Sequence, residues 1–141
     1  MRKKPLMGLT LAVVLITLVI IGCSAVTPAP EVEIINVSPA GLGGGDSAEV
    51  TITFANRNKV DAIITTQQNT YMGTDTIKSA LMHYSLFVGA NTDSTLLKIS
   101  MGGLNTIRSS VGSPATMWLK FWGEDAYGYN KTFELSVSVL F

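Results

Sequence analysis

Thr116-Met117-Trp118-Leu119-Lys120-Phe121-Trp122, followed after a turn by Phe133-Glu134-Leu135-Ser136-Val137-Ser138-Val139-Leu140-Phe141, decides the fold class. Met117, Leu119 and Phe121 alternate with other residues, and so do Phe133, Leu135, Val137, Val139 and Phe141. A period of two places every second side chain on one face, so each run reads as a strand with one face in a core. The same period recurs upstream. Val32 and Ile34, with Val37 nearby, begin it, and Val50, Ile52 and Phe54 alternate with Thr51 and Thr53. Ala62 to Thr66 predicts another strand. So do Ala80, Met82, Tyr84, Leu86 and Val88, and then Leu96 to Met101 with Leu97, Ile99 and Met101 inward. Thr76 to Met82 is compatible with a helical turn instead.

The breaks between these runs are rich in turn formers: Ser38-Pro39-Ala40-Gly41, Gly43-Gly44-Gly45-Asp46, Gly89-Ala90-Asn91, Gly102-Gly103, Gly112-Ser113-Pro114 and Gly128-Tyr129-Asn130. Short strands at such spacing predict an all-β antiparallel sandwich of about seven strands. Ala115 to Phe121, leading into Gly123-Glu124-Asp125-Ala126-Tyr127-Gly128-Tyr129-Asn130, resembles the last hairpin of immunoglobulin-like and fibronectin-III-like modules. There, alternating strand residues precede an Asp-x-x-Gly-Asn turn. Tyr129, between Gly128 and Asn130, departs from that pattern and lengthens the loop by a residue. The resemblance implies an immunoglobulin-like sandwich over residues 31–141. No Cys-Trp-Cys core of the antibody type is present.

The start of the chain has a different character. Arg2, Lys3 and Lys4 precede an apolar stretch that ends at Ile20-Ile21-Gly22-Cys23. A basic cluster, an apolar run and a small residue before a cut site form the order of a secretory signal. The run is shorter than the ~20 residues that a membrane span needs. The tetrapeptide resembles the lipobox of prokaryotic lipoproteins. That resemblance implies a signal peptide at 1–22, lipidation of Cys23 and a protein held outside the cytoplasm on the outer face of a plasma membrane or on an outer membrane. Two or more acyl chains anchor stably where one does not. Residues 23–30 then form a proline-containing tether. Cys23 is the only cysteine, so no internal disulfide forms and packing alone holds the fold.

Loss of residues 1–22 removes three of ten basic residues and no acidic ones, leaving seven against ten and a net charge of −3. A mildly acidic surface argues against a nucleic-acid partner. Chemistry finds few residues to use. His83 is the sole histidine and sits beside the alternating face of its strand, so zinc ligation and Cys–His catalysis lack their groups. The stretch Gly41 to Ser47 has the glycines of a phosphate loop but not its Gly-Lys-Ser/Thr ending, and it reads as a strand connection. Glu124, Asp125 and Asn130 offer oxygen ligands for calcium, against which stands the common use of an Asp to cap its own turn. The expectation is a non-catalytic protein without cofactors.

If Met117, Leu119 and Phe121 face inward, Trp118, Lys120 and Trp122 face outward as a flat strip, with Tyr127 and Tyr129 at the adjoining turn. Exposed tryptophans at this density mark a contact surface, unless neighbouring loops fold over them. The leading expectation is an accessory or adhesion module that touches another envelope protein. The alternatives are a carbohydrate-binding module that stacks sugars on the tryptophans, and a subunit that assembles with copies of itself. Sugar binding requires polar side chains beside the rings, and on this strand only Lys120 supplies one.

Overall fold

The computed structural model describes residues 28–141; the signal-like segment and Cys23 lie outside the described residues. The chain forms β1 (Val32–Ser38), β2 (Ala48–Asn56), β3 (Ala62–Met72), β4 (Thr76–Lys78), β5 (Met82–Val88), β6 (Thr92–Met101), α1 (Leu104–Val111), β7 (Thr116–Asp125) and β8 (Thr132–Leu140). The named strand pairs are all antiparallel and build two sheets. One runs β1-β2-β6; in the other, β8, β7 and β3 lie side by side, with β4 and β5 sharing the far edge of β3. The architecture is an all-β sandwich of eight strands.

The two middle strands supply the centre of the core. Val50, Ile52 and Phe54 on β2 and Met117, Leu119 and Phe121 on β7 have no exposed surface, the faces that alternation selected. Phe54 meets Phe121 edge to face at 5.2 Å between centroids, which joins the sheets through the favourable T-shaped arrangement. The odd spacing of Val37 after Val32 and Ile34 has a local cause. A bulge between Ile34 and Asn36 adds one residue to β1 and returns Val37 to the inner side. Gly123 is buried on β7, where the Phe133 ring opposite it fills the space a β-carbon would need.

The glycine-rich stretch is a connection, and it holds α1 in place. The Asp46 carbonyl accepts from the Leu104 N–H (3.0 Å) and its carboxylate from the Asn105 N–H (3.0 Å), satisfying two free donors at the start of α1. Arg108 reaches back to donate to the carbonyls of Gly43 and Gly45, and its guanidinium lies 4.9 Å over the Phe141 ring. Helix α1 replaces what the sequence suggested was loop between two turns, whereas the helical turn entertained at Thr76 to Met82 is the short strand β4. β3 extends six residues past Thr66 and carries Gln67 and Asn69 inward, where the Gln67 amide donates to Asn69 Oδ1 (2.8 Å). Among the described residues, no buried side-chain nitrogen or oxygen lacks a partner.

Candidate binding face of the five-stranded sheet

Antiparallel register sets out the outer face of the larger sheet row by row. Trp118 lies between Thr70 on β3 and Ser138 on β8, Lys120 between Gln68 and Ser136, and Trp122 between Thr66 and Glu134. Trp118 is 42% exposed and Trp122 is half-buried, so neither ring enters the core and both keep a solvent-facing side. The two do not form the single apolar strip that the sequence suggested. They stand four positions apart, which at the rise of an extended chain is about 13 Å, and Lys120 lies between.

The rings also differ in what surrounds them. Trp122 belongs to a closed trio. Its indole N–H donates to Glu134 Oε1 (3.1 Å), and Lys120 Nζ pairs with Glu134 Oε2 (3.0 Å) while sitting 4.9 Å above the Trp122 ring. The hydrogen bond and charge of Lys120, with a smaller contribution from the indole, hold the Glu134 carboxyl below its ordinary pKa. This arrangement fixes Trp122 and covers part of one π-face with an ammonium. Trp118 has no such cover. It lines a shallow depression of about 540 Å³ with Thr70, Met72, Thr76, Lys78, Lys120 and Ser136.

Most of those neighbours were not legible as site residues. Thr70 and Met72 belong to the part of β3 beyond Thr66, and Thr76 and Lys78 to β4; strand pairing brings them to Trp118. Three hydroxyl-bearing side chains and two lysines now line the depression beside one exposed indole, where the strand itself offered Lys120 alone. His83 is exposed and stands opposite Thr66 on the same sheet, its Nδ1 3.4 Å from the Thr66 hydroxyl.

Tyr127 and Tyr129 do not join this face. They lie in the β7–β8 turn at one end of the sandwich, with ring centroids 6.4 Å apart. The Tyr127 hydroxyl donates to Asp61 Oδ2 (2.7 Å), and the Ala90 N–H donates to Asp61 Oδ1 (2.6 Å). The Ala90 bond, then the Tyr127 bond, lowers the Asp61 pKa; the same carboxylate raises that of Tyr127. The possible calcium ligands are also divided. Asp125 is buried, and its carboxylate accepts from the N–H groups of Tyr127 (3.1 Å), Tyr129 (3.0 Å) and Lys131 (2.7 Å). Burial pushes its pKa up, but these backbone donors outweigh that and leave it lowered. Glu124 is exposed on the opposite side of the strand, and Asn130 turns the backbone at φ 57°. Among the described residues, no three His, Cys, Asp or Glu side chains gather as a metal site. None of their helices is long and apolar enough to cross a membrane.

No family model and no curated protein matches the chain. Among similar solved structures is a crystal structure of a protein from Archaeoglobus fulgidus. It is 12% identical, with 81% of this chain and 98% of that one covered, at a TM-score of 0.39. A likeness at that level assigns neither family nor role.

Proposed function

We propose that this chain is a non-catalytic, lipid-anchored envelope protein whose five-stranded sheet face binds a pyranose glycan. One observation carries the reading: an exposed indole, Trp118, shares a surface depression with Thr70, Thr76, Ser136, Lys78 and Lys120. The C–H face of a pyranose ring suits an aromatic face, and its hydroxyls need donors and acceptors at the rim. Lys78 makes no ion pair among the described residues, which favours a sugar that carries a carboxylate. The immunoglobulin-like reading is supported by the strand order, in which β1-β2-β6 faces a sheet with β3, β7 and β8 in sequence. The lipid anchor rests on Ile20 to Cys23.

A protein partner, or a second copy of this chain, is the alternative. It is favoured by Met72 (45% exposed) and Leu140 (70% exposed), which flank Thr116 on the row next to Trp118 and extend the apolar surface. Extraction of the native protein in mild detergent, then sizing and mass spectrometry, separates these outcomes. Co-purifying polysaccharide that is lost in a Trp118→Thr variant supports the glycan reading. A stoichiometric foreign protein, or large particles of this chain alone, overturns it in favour of the alternative.

A further inference from the structure

We propose that the end of the sandwich where the N-terminal chain emerges rests on the membrane surface, with Tyr127 and Tyr129 at headgroup level. The inference rests on the lipid-anchor reading of Cys23. Its occupant is the bilayer that holds that anchor.

The described chain begins at this end and is fixed there. Asn58 Nδ2 donates to the Ala29 carbonyl (2.9 Å), and the Arg57 N–H donates to the Glu31 carbonyl (2.9 Å). Asn58 belongs to the β2–β3 turn, which bonds the other two turns of the same end. Its carbonyl accepts from the Asn91 N–H (2.9 Å) and that of Asp61 from the Ala126 N–H (2.9 Å). The start of the domain and three turns therefore share one end.

Chain length then limits how far that end can stand from the bilayer. Six Cα–Cα steps separate Ala29 from Cys23. Fully extended they span at most about 21 Å, and a flexible chain of that length averages about 13 Å. Both distances are less than the length of a nine-residue strand, about 30 Å.

The surface offered to the membrane matches its interface. Tyr127 is 53% exposed and Tyr129 42% exposed, and a tyrosine combines an apolar ring with a polar tip, as residues at membrane–water boundaries do. Nearby charges lean acidic. They do not make a basic patch: Arg57, Lys59 and Lys131 are set against Glu31, Glu33, Asp61, Asp93, Glu124 and the buried Asp125, with Glu33 (2.7 Å) and Asp93 (2.7 Å) paired to Arg57 and Asp61 bonded to the Tyr127 hydroxyl. The contact is therefore held by the tyrosines and the anchor rather than by attraction to anionic lipid, and it resists salt. The strands then run away from the bilayer. Seven residues of β7 raise Trp118 roughly 23 Å above Asp125, so the binding face looks sideways, clear of the lipid.

The test is made on the full lipidated chain in vesicles of phosphatidylcholine and phosphatidylglycerol. A nitroxide is placed at Tyr129→Cys, or at Ser110→Cys in α1 at the far end. Collision rates with lipid-soluble oxygen and a water-soluble nickel complex are measured at low and high salt, and Cys23 is weighed by mass spectrometry. The account predicts that the label at 129 is shielded from nickel and open to oxygen at both salt levels, with the reverse at 110. An acylated Cys23 with both labels equally open to nickel overturns the orientation while leaving the anchor intact. An unmodified Cys23 overturns the anchor reading and this inference with it.

Discussion

Replacement of Asp125 tests the β7–β8 turn that ends the central strand. The residue is 3% exposed, and its carboxylate accepts three backbone N–H bonds, two on Oδ2 from Tyr127 and Tyr129 and one on Oδ1 from Lys131. Hydrogen bonds to a charged acceptor contribute about 1.5–3 kcal/mol each. The three share one acceptor, and water reaches the freed turn, so Asp125→Ala should cost about 3 kcal/mol rather than the full sum. For a domain of this size that is a fall in Tm of about 12 °C. Asp125→Asn keeps one oxygen but turns an amide N–H toward a backbone donor, and should lose about half as much. The pH response carries a second signature. The folded pKa lies below the unfolded value of about 3.9, so this stabilisation is complete above that pH and is lost as pH falls toward the folded value. The Asn variant should lack that component of acid sensitivity. Urea unfolding of wild type and both variants from neutral to acid pH measures both effects. An Asp125→Ala domain within about 0.5 kcal/mol of wild type would refute the reasoning.

Other consequences are simpler to check. Gly123→Ala sets a β-carbon 2.7 Å from the Ile63 carbonyl oxygen as well as against Phe133, and should destabilise the domain by about 1–3 kcal/mol in thermal unfolding. Arg108→Ala removes the contacts that hold the Gly43 and Gly45 carbonyls, so limited proteolysis should cut within residues 41–47 faster than in wild type. Calcium or a chelator should leave the melting temperature unchanged, because the Asp125 oxygens already serve backbone donors.

How far the sequence could be read depended on which strand was being read. β7 and β8 were legible because each has one face in the core and one outside, and their side chains alternate accordingly; β2 was legible through Val50, Ile52 and Phe54, although its second half is buried on both faces. β3 was legible only to Thr66. Beyond it, Gln67 and Asn69 turn inward and bond each other, so polarity no longer marks the face. Helix α1 escaped notice because two turns between Gly103 and Gly112 give only Leu104, Ile107 and Val111 as a periodic set, and its capping group comes from distant Asp46. The site was half legible for a related reason. Trp118, Lys120 and Trp122 share a strand, and alternation aims them outward together. Thr70, Thr76, Lys78 and Ser136 reach Trp118 only through pairing across the sheet, which no local pattern encodes. The division of Tyr127 and Tyr129 from the tryptophans also follows from the fold, since the turn that carries them bonds Asp61 at the sandwich end.

Calorimetric titration of the full-length protein shows whether the sheet face around Trp118 is the binding surface. Acidic and neutral pyranose polysaccharides are titrated into wild type and into Trp118→Thr and Trp122→Thr variants in detergent. The account predicts saturable binding to the acidic polymer that Trp118→Thr abolishes. It predicts that Trp122→Thr weakens binding less, and that both variants melt within a few degrees of wild type because neither ring is in the core. Undiminished binding by a folded Trp118→Thr protein, or no binding by wild type to either polymer, would contradict it.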